Sequence, residues 1–301
     1  MNGSGKIKRT DPSDVKQSIS DVQINLLCCR YWLMTSWEGK NLSAPFWRLY
    51  HNFIDGSQIL FNGIKYTLSE NSVILIPPNT RYSTSLTGDF GAGSIDNIQG
   101  RKIGQGDDLL SIKEMGAVDH LFIHFNLGTA INNIHPGIYL HEMDEELDTL
   151  IRKITKEVIN DNRKLSLSTS LLVNLLIFHV MKIIPEKNWS PTVSDSRIIA
   201  SMNYIRENSQ TKISNETLAT NSNMAINSFA RLFKDKSGMT IQQYIQKIRI
   251  EKACELMHHT SYTVDEIAHL CGFFDRHHFS KSFKQKLNIT PAYYIKNHTM
   301  S

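Results

Sequence analysis

Two aromatic pairs at helical spacing, Phe229 with Phe233 and Phe279 with Phe283, each bracket one basic side chain, Arg231 or Lys281. Residues four apart share a helix face and the residue between them leaves it, so the rings turn inward and the cation turns to solvent. Lys234 and Lys284 follow the second ring of each pair. The chemistry open to such a surface is attraction to a polyanion. A different chemistry is written at residues 120–125, HLFIHF. Alternation along a strand puts His120, Phe122 and His124 on one face, where a ring can stack on a pyranose and imidazoles can meet its hydroxyls. Metal chemistry is not expected there. The chain has no His-x-His pair, and two histidines four apart on a strand are separated by about 13 Å, too far to share one ion. No catalytic constellation and no cofactor are expected.

Composition sets the frame for both sites. The chain has 301 residues, of which 41% are hydrophobic, enough for two domains with buried cores. Its longest apolar run, residues 165–184, is broken by Ser and Thr residues, Asn174, His179 and Lys182, so no membrane span is expected. Residues 1–10 are polar and lack the apolar stretch of a secretory signal, and the expected location is the cytoplasm. Cys28, Cys29, Cys254 and Cys271 have no zinc or disulfide spacing and are expected as buried thiols. Charge is uneven: of the net +4, residues 197–301 hold 14 Lys and Arg against 8 Asp and Glu, leaving residues 1–196 slightly acidic. A basic carboxy-terminal third favours nucleic acid as its partner.

The elements that carry the basic residues are repeated. FARLFKDKSGMTIQQYI (229–245) overlays FSKSFKQKLNITPAYYI (279–295) with seven identities in seventeen and no gap, the mark of a duplicated supersecondary unit. Gly238 and Asn288 stand where a helix stops in the left-handed conformation, and Thr240 and Thr290 each cap the next helix, with Pro291 at the first position of the last one. A short helix precedes each copy, at residues 215–220 and 264–270. Short helix, tight turn and amphipathic helix is the helix-turn-helix pattern, whose second helix enters the DNA major groove. The apolar spacing over residues 241–257 predicts a connecting helix of about 26 Å, of the order of one DNA turn.

Residues 196–296, and above all CGFFDRHHFSKSFKQKLNITPAYY at 271–294, resemble the DNA-binding region of the AraC/XylS family of bacterial transcription regulators. The resemblance implies that Asn227, Ser228 and Arg231 in the first unit, and Arg276, His277 and Lys281 in the second, meet double-stranded DNA, with Lys234 and Lys284 beside them. Arg can take guanine and Asn adenine at base edges, whereas Lys and Ser more often hold phosphates. Ala225 departs from the family, which usually has a capping Ser there; Asn223 stands where Gly is common, and Phe274 where Ser or Asn is common. Asp275 can still cap the second reading helix, but the first is expected to fray.

Toward the amino terminus, residues 58–61 and 64–68 flank Asn62-Gly63, a hairpin with a type I′ turn. Further strands are expected at residues 47–51, 73–76, 81–86 and 120–125. Short strands at close spacing suggest a small barrel. ILIPPNTRYS (74–83) and HLFIHF resemble the cupin-like sensor domain that precedes this DNA-binding region in many members of the family. A barrel holds its ligand in the mouth, so the pocket candidates are Arg81, Tyr82, His120, Phe122 and His124, with Arg48 and His51 behind them and a sugar as the expected effector class.

The expected fold is α+β multidomain, a cupin-like β-barrel with two helices followed by an all-α double helix-turn-helix. The expected division is a flexible segment at 1–20, the barrel at 21–139, a helical dimerisation segment at 140–184, a linker at 185–196 and the DNA-binding domain at 197–301. The glycine-bearing stretch 87–119 reads as a disordered loop or a lid, with disorder favoured. Helices near residues 140–160 and 165–184 carry more apolar surface than one barrel edge needs, and with the family resemblance this predicts a homodimer. The resulting expectation is a sequence-specific regulator responding to a small molecule, with RNA polymerase as a further partner if it activates. Two readings compete: a barrel enzyme with an accessory DNA-binding module, and a regulator with no small-molecule effector.

Overall fold

The computed structural model describes residues 23–90, 97–127, 134–160, 165–189, 193 and 195–298. The flexible segment expected at 1–20 lies outside the described residues. The amino-terminal unit is a nine-stranded antiparallel sheet curled into a half-barrel: β1 (Ile24–Leu42), β2 (Trp47–His51), β3 (Gln58–Phe61), β4 (Ile64–Thr67), β5 (Ser72–Ile76), β6 (Tyr82–Ser85), β7 (Asn97–Lys102), β8 (Val118–Leu127) and β9 (Tyr139–Glu142). The strand order is β4-β3-β6-β1-β8-β2-β5-β9, with β7 also paired to β1. The long strand β1 holds the sheet together because different parts of it pair with β8, β7 and β6. At the β3–β4 turn, Asn62 and Gly63 have φ of 49° and 81°, the two positive values that a type I′ hairpin requires.

The stretch expected to be disordered carries structure. Besides β7 it contains α1 (Leu109–Glu114), capped by the Asp108 side chain on the Ser111 amide; residues 91–96 lie outside the described set. Residues 139–142, expected to open a helix, instead form β9 on the edge of β5, and α2 begins at Glu145. The cause is tertiary: Leu140 pairs opposite Ile74 and completes the sheet edge. Helices α2 (Glu145–Asn160) and α3 (Leu167–Met181) then pack Leu147, Ile151, Ile154, Val158, Val173, Leu176, Ile177 and Val180 into the barrel core.

The carboxy-terminal unit is all helix: α4 (Ser196–Asn208), α5 (Asn215–Asn221), α6 (Ile226–Ser237), α7 (Ile241–His259), α8 (Val264–Leu270), α9 (Arg276–Leu287) and α10 (Pro291–His298). It has two cores. Phe229 and Phe233 belong to the first with Ile241, Tyr244, Ile245 and Ile248; Phe279 and Phe283 belong to the second with Ile250, Ala253, Cys254 and Met257. Helix α7 thus serves both cores from successive stretches of one rod of about 28 Å at 1.5 Å per residue.

Candidate nucleic-acid interface and barrel interior

Both repeat units are helix-turn-helix. In the first, α5 meets α6 across residues 222–225; in the second, α8 meets α9 across residues 271–275, one residue longer. The turns start alike: the amides of Met224 and Phe273 donate to the carbonyls of Ala219 and Ala268 at 2.9 and 3.0 Å. Asn223 and Gly272 sit at equivalent points with φ of 52° and 76°. A Cβ at Gly272 would lie 2.6 Å from the Gln210 carbonyl oxygen, so the second turn requires glycine, whereas the first leaves room for an Asn, a residue that tolerates this conformation. The extra residue of the second turn is Phe274, which is 93% exposed beside the start of α9. A ring so placed can meet a thymine methyl or a base step.

Helix starts differ as the residues dictate. Ala225 offers α6 no side-chain cap, while Asp275 caps α9 by accepting from the His278 amide at 2.7 Å. Gly238 and Asn288 end the two helices at φ of 75° and 62°, and Thr240 forms a capping box with Gln243. Phe229, Phe233, Phe279 and Phe283 are fully buried. On the opposite faces Asn227, Ser228, Arg231 and Lys234 of α6, and Arg276, His277, Lys281 and Lys284 of α9, are all exposed. Arg276 is held at the start of α9 by an exposed ion pair to Asp265 of α8 at 3.1 Å. Asn227, Arg231 and Lys234 also line a shallow basin with Asn215, Thr240 and Gln242. Asn215 and Gln242 were not among the sequence candidates because neither falls within the repeated aromatic-basic pattern.

The barrel interior gathers part of the expected pocket. Arg48 Nη1 donates to Tyr82 Oη at 2.8 Å, Tyr50 Oη lies 3.0 Å from Tyr82 Oη, and His120 Nδ1 is 2.7 Å from Asn52 Oδ1. His120 also packs against Trp37 and Tyr50, and Phe122 lies between His120 and His124. Two candidates lie elsewhere. His51 is three positions from Arg48 and therefore on the other side of β2, where its Nδ1 meets the Ser72 carbonyl and its ring meets Phe53. Arg81 precedes Tyr82 and is exposed. Period two places both off the face that carries Arg48 and Tyr82. Arg30 and Trp37 are interior groups that sequence reading missed, since β1 has no recognisable alternation; Tyr50 and Asn52 were missed too, although period two counted from Arg48 along β2 points to both.

Among the described residues the interior is nearly full. The cavity bounded by Arg30, Trp37, Arg48, Tyr82, Phe122 and His124 has a volume of about 30 Å³, whereas sites for small organic ligands usually span about 300–1,000 Å³. Its lid comes from the other unit: His258 and His259, at the end of α7, lie with their rings 5.0 and 5.4 Å from Phe46. Asn126 of β8 donates to the Glu255 carboxylate of α7, and Tyr294 Oη of α10 reaches the Ser43 carbonyl at 3.5 Å. Burial drives the pKa of His120 and of His259 down to about 3 and that of His124 well below the usual imidazole range, with neighbouring His and Arg charges adding to the effect. His120, His124 and His259 are therefore held toward their neutral form. A second cavity of about 180 Å³ opens along the same seam, between Ser43–Pro45 and the Lys247, Glu251, Lys286 and Tyr294 side chains.

Residues 218–297 match the family described as a helix-turn-helix domain. The chain is 31% identical over 100 residues to the transcriptional activator RhaS of Salmonella schwarzengrund, a match covering 33% of this chain and 36% of the length of that relative. It is similar to the C-terminal domain of AraT, a response regulator from Geobacillus stearothermophilus, at 29% identity over 36% of this chain and 89% of that one, with a TM-score of 0.34. It is also similar to ToxT from Vibrio cholerae O395, at 15% identity over 92% of this chain and 99% of that one, with a TM-score of 0.48. The carboxy-terminal region is a double helix-turn-helix DNA-binding domain. Its type is that of the AraC/XylS family, as the motif at 271–294 implied.

Proposed function

We propose that the chain is a homodimeric, cytoplasmic transcription regulator that binds double-stranded DNA through α6 and α9 and responds to a small molecule through its barrel. The observation that carries the reading is the duplicated arrangement: two equivalent helices, each with a buried aromatic face and an outer row of polar and basic side chains. Arg231 and Arg276 are assigned to base edges, Lys234, Lys281 and Lys284 to phosphates, Asn227, Ser228 and His277 to either, and Phe274 joins them. Mobility shift on promoter fragments tests the assignment. Arg231→Ala and Arg276→Ala should each weaken specific binding by about 1–3 kcal/mol and relax sequence preference. Undiminished binding by both variants would remove these residues from the interface. RNA polymerase is the further partner if the chain activates.

A dimer is supported by α3, where Leu167, Leu171, Leu175 and Phe178 are exposed at 78%, 59%, 48% and 42%. They recur every three or four residues and form an apolar stripe opposite the face packed on the barrel, a surface suited to a second copy. For the effector, a sugar meeting Arg48, Tyr82, His120, Phe122 and His124 would have to part the rings or lift the end of α7 from the barrel. Such lifting would transmit ligand binding to the DNA-reading unit, because α7 belongs to both cores of that unit. The fullness of the interior favours a second reading, a regulator that takes no small molecule. A thermal-shift screen against mono- and oligosaccharides separates the two, since a ligand of the folded state raises the melting temperature.

A further inference from the structure

The seam between the barrel and α7 gathers three metal-binding side chains from three elements. Cys28 of β1 and His124 of β8 are direct cross-strand partners, so their side chains leave the sheet on the same face. A break in the β1–β8 register between Leu26 and Cys28 sets this alignment. His259, the last residue of α7, completes the group, and one donor atom from each of the three lies within 4.8 Å of the others. The rings of His124 and His259 stand 5.3 Å apart. Among the described residues, both nitrogens of His124 and both of His259 are buried without a hydrogen-bond partner, and His124 is only 5% exposed. Buried imidazoles with neither nitrogen engaged are costly and uncommon, and a bound ion is one way such a group is satisfied.

We propose that Cys28, His124 and His259 form a binding site for one thiophilic d10 metal ion, Cu(I) or Zn(II), that ties the barrel to the DNA-reading unit. Metal–sulfur and metal–nitrogen distances of about 2.3 and 2.0 Å place the donors roughly 3.3–3.8 Å apart, within reach by side-chain rotation of about an ångström. Thiolate and imidazole are the donors that soft and borderline ions choose over calcium or magnesium. The surroundings rank the two ions. Arg30 and Arg48 face the site and act electrostatically on both histidines. Cu(I) with a Cys28 thiolate is neutral and satisfied by three ligands, whereas Zn(II) adds a positive charge and needs a fourth ligand. Binding releases the Cys28 thiol proton to solvent and involves no electron transfer. A surface group, His141, Asp144 and His179, also has metal-binding spacing, but its donors are already engaged: His179 pairs with Asp144 and Glu146, and His141 with the Glu142 carbonyl.

The test uses the full-length, reduced and metal-free chain without DNA, so its failure leaves the regulator reading standing. Cu(I) is offered in competition with a chromophoric chelator, and Zn(II) in a parallel titration. The expected result is one equivalent of Cu(I) per chain, held more tightly than Zn(II), with affinity falling on the order of a hundredfold or more in Cys28→Ser and in His259→Gln and unchanged in His141→Gln. X-ray absorption of the copper-loaded wild-type chain, which needs no variant to fold, should show one sulfur and two imidazole nitrogens around the ion. Zn(II) binding alone, lost in the same two variants, would also support the site. Binding of neither ion, affinity unchanged in both variants, or an all-sulfur shell would overturn it.

Discussion

Histidine placement makes the clearest residue-scale prediction. His51, His120 and His259 are held neutral by burial, with pKa values lowered to about 4, 3 and 3. An unfolded chain takes up a proton at each near the ordinary value of about 6.5, while the folded chain does not until far lower pH. The contribution of these residues is therefore present above that value and is lost as pH falls through the window from about 6.5 toward 4, by up to roughly 1.4 kcal/mol per pH unit for each histidine. Urea unfolding measured across this window should show the decline, and His120→Gln should flatten it by one proton. A stability that stays level between neutral and mildly acid pH would mean these rings are solvated. The site itself was only partly legible at this scale. Tyr82, His120, Phe122 and His124 came from one strand pattern and one motif, Arg48 came from the strand expected at 47–51, and all five do converge. His51 and Arg81 came from the same short stretches, but each sits an odd number of residues from an interior neighbour, which a strand cannot forgive.

Among the elements, α6 is weak at its start for a reason visible in one residue. Ala225→Ser restores the missing side-chain acceptor and should raise stability by about 1 kcal/mol in chemical denaturation, whereas the same change at a capped helix start would not. Helix α3 carries the other expectation: Leu171→Glu puts a charge in the middle of the exposed stripe and should convert the proposed dimer to a monomer in light scattering without unfolding it. A wild-type chain that is already monomeric would end that reading. The repeated helices, their stops at Gly238 and Asn288, the Thr240 cap and the Asn62-Gly63 hairpin were legible because each is set by local backbone chemistry. Strand β9 and the long β1 were not, because both are set by partners distant in sequence: Tyr139–Glu142 by β5, and β1 by three different strands. The glycine-bearing stretch hid β7 and α1 for the same reason, since a strand of alternating exposure on the rim of β1 has little apolar signal of its own.

At the scale of the molecule, the half-barrel and the DNA-reading unit meet, among the described residues, through the Asn126–Glu255 and Tyr294–Ser43 contacts and several rings. Asn126 is the main polar tie, and the Glu255 carboxylate that it serves is held above the usual carboxylate range by burial. Asn126→Leu leaves that carboxylate without its donor, a loss of about 1.5–3 kcal/mol for a bond to a charged group. The seam should loosen, and small-angle scattering should report a larger radius of gyration than for the wild type; an unchanged radius would mean that the rings alone hold the units together. Helix α7 sets a further condition. Its first half is locked into one aromatic core and its second half into the other, so the screw of the helix fixes the angle between the two recognition modules. One residue added between Ile248 and Ile250 would swing the second module by about 100° and advance it about 1.5 Å. Along this axle, a change in length keeps α6 and α9 in their present alignment only when it comes in whole turns of the helix.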